Sequence, residues 1–199
     1  MTATDEFSAR DPSDSGMDEI TERFDSIAGR FTEVVCGVPE DRWDDPSPCE
    51  GWTARDVVGH LAEWIPGFFA EHGVAFGPIP PVEDDPVGAW EAVRDPIAAA
   101  LGDPDQASRM VETPFHTLSL AETVDMIVIG DVFTHTWDLA RATGQDETLD
   151  PDQLHRMAVG MGEIPDEVLR SGGMFGPALE VGDEADEQTR FLAFVGRRA

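Results

Sequence analysis

Over long stretches of this chain, apolar residues recur every three or four positions, the spacing of one face of an α-helix. Met17, Ile20, Phe24, Ile27, Phe31 and Val34/Val35 form the first such stretch and predict a helix ending near Gly37 and Pro39. Residues 1–16 carry no such pattern and are rich in Ser, Asp, Thr and Gly, so a disordered tail is expected there. A polar, proline-broken loop, RWDDPSPCEGW, comes next. Thr53-Ala54-Arg55-Asp56 then reads as a capping box, in which Thr53 accepts a backbone N–H and Asp56 reaches back to the cap. The second helix is predicted to run through Val57, Val58, Leu61 and Trp64 to about His72, with Pro66 as a kink.

A loop reading GPIPPVEDDP leads to a third helix over Val87 to Leu101, which Pro96 interrupts. Ser119-Leu120-Ala121-Glu122 is another capping box. It opens the longest apolar helix, predicted from Leu120 to about Thr143 and stopped by Gly144. Asp150-Pro151-Asp152-Gln153 repeats the start signal with Pro at the first helical position, so a fifth helix should reach about Gly162. Beyond it, a short extended piece and a small helix over 185–195 are expected. Strand and hairpin signals are scarce. These elements predict one all-α domain over 17–199, an antiparallel four-helix bundle with a C-terminal extension from about 145.

The longest helix is apolar around most of its circumference, including Val124, Ile127, Val128, Val132, Phe133, Trp137 and Leu139, so it should be buried. Asp131 and His135 nevertheless lie inside it, four residues apart and therefore on one face. A buried carboxylate is costly unless paired. An Asp–His hydrogen bond in the core would meet that need. So would a metal ion, because two such residues are two-thirds of a two-His, one-carboxylate site. His60 supplies a third candidate ligand on the inward face of the second helix, between Val57/Val58 and Leu61/Trp64. Glu63 is either a further ligand or base, or a solvated glutamate. His72, at a helix end, His116, in a loop, and His155, on the acidic fifth helix, are weaker candidates. Asp138 and Arg141 have the spacing of an ion pair, and Trp43 and Trp52 can equally line a pocket or fill the core.

Charge alters the expected surroundings more than the chemistry. The 199 residues include 41 Asp plus Glu against 13 Lys plus Arg, for a net charge of −28, and all the basic residues are Arg. Lys, Asn and Tyr are absent, which fits a GC-rich genome, but codon bias does not account for the acidic excess. A salt-rich cytoplasm is one explanation, because salt screens self-repulsion; plain acidic drift is the other. Nucleic acid is not an expected partner, since binding it needs a basic footprint. No apolar run approaches the ~20 residues that span a bilayer, and Met1–Gly16 lacks the form of a signal peptide, so a cytoplasmic location is expected. Cys36 and Cys49 then read as thiols rather than a disulfide. Cys49 is either a thiol activated at a helix start or a buried structural residue.

Two stretches, PSPCEGWTARDVVGHL (Pro46–Leu61) and DVFTHTWDLARATG (Asp131–Gly144), resemble the signatures of the mycothiol-dependent maleylpyruvate isomerase N-terminal family. That family lies within the DinB-like metal-binding four-helix bundles. The tail RSGGMFGPALEVGDEADEQTRFLAFVGR further resembles an uncharacterised, single-domain actinobacterial branch. The resemblance implies a His on the second helix and an acid-x-x-x-His pair on a later one as metal ligands, which fall here on His60, Asp131 and His135. In the isomerase pattern the acidic ligand is Glu, one methylene longer than Asp131. Two His and one carboxylate make zinc the first choice, with nickel, manganese and iron(II) as alternatives, and the resemblance implies a low-molecular-weight thiol that attacks a small electrophile. Maleylpyruvate isomerisation itself is not expected, because the isomerase uses a further C-terminal domain for which this chain has little room. A non-catalytic, metal-dependent small-molecule-binding or stress protein is the alternative, and a homodimer is compatible with a bundle carrying extra terminal segments.

Overall fold

Apolar spacing and capping signals become helices whose ends the backbone adjusts. The structure, a computed structural model, describes residues 12–113, 117–162, 164, 170 and 175–199. It contains α1 (Pro12–Cys36), α2 (Ala54–Phe69), α3 (Pro86–Leu101), α4 (Pro104–Ala107) and α5 (Leu120–Thr123). A π-helical turn (Val124–Val128) joins α5 to α6 (Ile129–Thr143), and α7 (Pro151–Gly162) and α8 (Glu187–Phe194) follow. Residues 1–11 of the expected tail and His116 lie outside the described residues. The first helix begins at Pro12, ahead of the apolar spacing that starts at Met17, because polar residues can lengthen a helix without leaving a periodic mark.

The protein is all-α. α1 packs on α3 and α6, and α2 packs on the same two helices, so these four close the bundle. Their apolar faces meet in one core that includes Phe24, Phe31, Leu61, Trp90 and Trp137, each at most 2% exposed. Phe31 and Trp90 pack edge to face at 4.7 Å, and the Trp90 indole N–H donates to Thr32 at 2.8 Å, so the ring is buried without an orphaned donor. Both capping boxes form, Thr53 with Asp56 and Ser119 with Glu122. Pro66 stays inside α2, which ends at Phe69 rather than at His72.

The third helix runs unbroken through Pro96, and the short α4, a ribbon and a π turn escaped the sequence pattern. A small antiparallel ribbon pairs β1 (Met110–Glu112) with β2 (Thr117–Ser119) just ahead of α5. The expected single helix from Leu120 is interrupted at the π turn, where Ile129 N–H bonds Val124 C=O, five residues back. One extra residue in a turn rotates everything after it by about 100° relative to a straight α-helix. The turn thus sets the face on which α6 carries its polar residues. Gly144, at φ 71°, closes α6 in the left-handed conformation that glycine adopts without strain.

Past the bundle, α7 packs on α8, and the backbone turns sharply at Gly196 with φ 82°. A Cβ there would come within 3.0 Å of the Gly176 backbone. Arg197 N–H returns to Leu192 C=O at 2.7 Å, which directs the Arg197 side chain back toward the bundle. Among the described residues, no helix is long and apolar enough to cross a membrane.

Candidate metal centre

α2 and α6 face each other where each carries polar residues on an otherwise apolar side. His60 stands in the middle of α2, Asp131 in the first turn of α6, and His135 one turn further. Their side chains converge. His60 Nε2 lies 3.2 Å from Asp131 Oδ2, and His135 Nε2 lies 3.4 Å from Asp131 Oδ1. The imidazole rings are 5.1 Å apart. Trp64, one turn beyond His60, donates its indole N–H to Asp131 Oδ2 at 2.8 Å and fixes the carboxylate. Trp52 lies 5.8 Å from His135 in a stacked arrangement and 5.0 Å from His60, so it walls the cluster.

Behind His135 the contacts continue inward. Its Nδ1 pairs with Asp138 Oδ2 at 2.9 Å, and Asp138 is fully buried. Arg197 donates to both oxygens of Asp138, at 3.2 and 2.9 Å. Cys49 Sγ lies 3.3 Å from Asp138 Oδ2 and 3.2 Å from Arg197 Nη2. The predicted Asp138–Arg141 ion pair therefore does not form. Asp138 points into the core, whereas Arg141 points outward and pairs with Glu147 at 2.8 Å.

These contacts set the charges. Burial alone would raise the Asp131 pKa, but the His135 charge, with His60 and Trp64, holds it below the usual carboxylate range. Burial would likewise raise Asp138, yet the hydrogen bonds from His135 and Arg197 keep it lowered. For His135, burial favours the neutral ring; Asp131, Asp138 and Cys49 outweigh it and push the pKa up to about 10. In the absence of a metal, His135 is a cation between two carboxylates.

Among the described residues, two sets of ligand atoms lie within 4.8 Å of one another, His60/Asp131/His135 and Cys49/His135/Asp138, and they share the His135 ring. In the second set the Arg197 guanidinium already occupies the position of a cation. In the first, the N···O separations of 3.2 and 3.4 Å exceed the ~2.7–2.9 Å of a charge-assisted hydrogen bond. They match the ~3.0–3.4 Å edges between ligands bound to one ion at ~2.0–2.1 Å. Two imidazole nitrogens and one carboxylate also suit a first-row divalent metal. The residues of the first set fit such an ion.

His60 also lines a groove of about 590 Å³, together with Trp52, Asp56, Glu63, Ile79 and Val82 among others. Glu63 is an exposed residue on the groove wall, outside both ligand sets. Trp52 faces the groove, whereas Trp43 is core, covered by Arg55 at 5.8 Å. His72 packs on Phe68 at 4.7 Å, and exposed His155 pairs with Glu187 at 2.8 Å, so neither reaches the cluster. Cys36 and Cys49 are free thiols.

Residues 24–140 match the model of the mycothiol maleylpyruvate isomerase N-terminal domain. The chain belongs to that family. The match includes His60, Asp131, His135, Cys49 and Asp138, but stops well before Arg197. Two uncharacterized proteins of Mycobacterium tuberculosis, one from strain CDC 1551 and one from strain H37Rv, are each 29% identical to this chain over 174 residues. Each alignment covers 84% of this chain and 91% of the mycobacterial protein. No solved structure matches the chain.

Proposed function

We propose that this protein binds one divalent metal ion through His60, Asp131 and His135 and uses it in thiol-dependent transfer or isomerisation of a small electrophile. The convergence of these three side chains, of which His60 lines the groove, carries the reading. Family membership supports it, since the family is named for mycothiol chemistry. When bound, the metal supplies positive charge that lowers the pKa of a thiol brought to it. Zinc is the first choice for this donor set, with nickel, manganese and iron(II) as alternatives.

The chain's own residues do the positioning. Asp138 holds His135 by Nδ1 and leaves Nε2 directed at Asp131. Trp64 holds one oxygen of Asp131 and restricts rotation of that carboxylate. His60 is the most exposed of the three ligands, with a side chain 32% accessible, so its side of the cluster receives ligands from the groove. Trp52 and Ile79 give the groove apolar surface against which an electrophile can pack.

Elemental analysis of protein purified without chelator or affinity tag tests the reading directly. About one metal ion per chain is expected, with loss of the metal in His60→Ala and Asp131→Ala. The loaded protein should then consume mycothiol or a related thiol together with an electrophile. Failure to bind any divalent ion sinks the metal assignment; metal binding without thiol binding or turnover sinks the thiol chemistry alone.

A further inference from the structure

Arg197 lies outside the residues matched by the family model, yet its side chain ends in the network behind the metal centre. It reaches there because Gly196 takes a positive φ and Arg197 N–H closes on Leu192 C=O. From that turn the guanidinium grips Asp138 with two donors, Nε to Oδ1 at 3.2 Å and Nη2 to Oδ2 at 2.9 Å. Both partners are sequestered, with side chains 12% and 0% exposed. A forked contact of this kind fixes the plane of the carboxylate as well as its position. Asp138 Oδ2 in turn holds His135 Nδ1, and His135 turns its other nitrogen to the ligand cluster.

We infer that Arg197 is a positioning residue for the metal centre. Acting through Asp138, it holds the His135 ring in the orientation that lets Nε2 join His60 and Asp131 around a divalent ion. The inference rests on the metal reading proposed above. The C-terminal segment is then a working part of the site, rather than an extension packed beside a complete domain. Without the fork, Asp138 could swing toward Cys49 or turn about its own axis, and the imidazole would lose its fixed support. Groups bonded directly to a metal-binding histidine, as Asp138 is to His135, change affinity by roughly 10–100-fold when removed, and Arg197 acts one bond further out. Cys49 completes the pocket around Asp138 but supplies only one weak contact to it.

The test is the affinity of the full chain for Co(II) and Zn(II), by chelator competition, with the visible spectrum of the Co(II) form as a second readout. Arg197→Met should weaken binding about 10-fold, the lower end of that range, and shift or broaden the Co(II) bands. Asp138→Asn should act in the same direction, and Arg197→Lys, which keeps the charge but not the fork, should lie between it and the unaltered protein. Arg141→Met, which removes a surface pair with Glu147, should change neither readout. Unaltered affinity and spectrum in Arg197→Met, even with a lowered melting temperature, would show that Arg197 only stabilises the fold and overturn the inference. If Arg197→Met fails to fold, Arg197→Lys decides: weaker binding supports the relay, and equal binding overturns it. An unaltered protein that binds no divalent ion overturns the metal reading, and the inference with it.

Discussion

At the scale of single residues, His135 explains most of the site's behaviour. It is 4% exposed and sits between two carboxylates, one of them fully buried. Removing Asp138 would strand His135 and Arg197 in a region that water barely reaches. Breaking a buried pair costs about 3–5 kcal/mol, so Asp138→Ala should lose that much stability in urea denaturation of the metal-free chain; a loss under 1 kcal/mol would contradict this view. The same pairing predicts how stability follows pH. A histidine whose folded pKa is about 10, against 6.5 in an ordinary setting, stabilises the fold fully below pH 6.5 and loses that contribution as pH rises toward 10. Asp131 and Asp138 are lowered instead, so their contribution is present at neutral pH and lost as acid protonates them. The melting temperature of chelator-treated protein should therefore fall between pH 6.5 and 10, and His135→Gln should flatten that limb. A metal requires the deprotonated ring, so divalent-ion affinity should rise over the same range in which the metal-free fold weakens.

At the scale of elements, the capping boxes connect local sequence to the site. Thr53 and Asp56 start α2, and the helix then carries His60 and Trp64 inward toward α6. Thr53→Ala should cost about 1 kcal/mol and leave the core intact; thermal unfolding would check it, and no change would mean the cap contributes nothing here. What could be read from sequence at this scale follows from what leaves a local mark. Asp131 and His135 were legible because spacing along one helix fixes their common face, and His60 because apolar neighbours on both sides imply an inward face. The π turn left no such mark, since Val124–Val128 is as apolar as a regular helical turn. The pairing of Asp138 with Arg141 that spacing predicts fails for a related reason. Spacing shows which residues are close on a helix, but not that Asp138 faces inward while Arg141 faces out.

At the scale of the whole molecule, contacts between distant segments were the least legible. Arg197 meets Asp138 across 59 positions, and nothing in either segment's own pattern announces the pairing. Only the packing of α8 and the turn at Gly196 bring them together. The net charge of −28 is also a property of the whole molecule, and it is dispersed. Exposed carboxylates stand on several helices, among them Glu22 and Glu33 on α1, Glu63 on α2, Glu91 on α3 and Asp152 on α7, and they repel one another most strongly in the compact state. Screening them should raise stability. The Debye length falls from about 30 Å at 0.01 M to about 10 Å at 0.1 M, and only to about 3 Å at 1 M. The melting temperature should therefore climb steeply with the first additions of NaCl and less steeply afterwards. General exclusion of solute from the protein surface predicts a different curve, with gains that keep accumulating into the molar range and that sucrose reproduces. A melting temperature that is flat below 0.1 M NaCl would show that the acidic residues lie too far apart to strain the fold. A steep early rise would show that the surface charge works against a fold whose buried pair, Asp138 with Arg197, is shielded from salt.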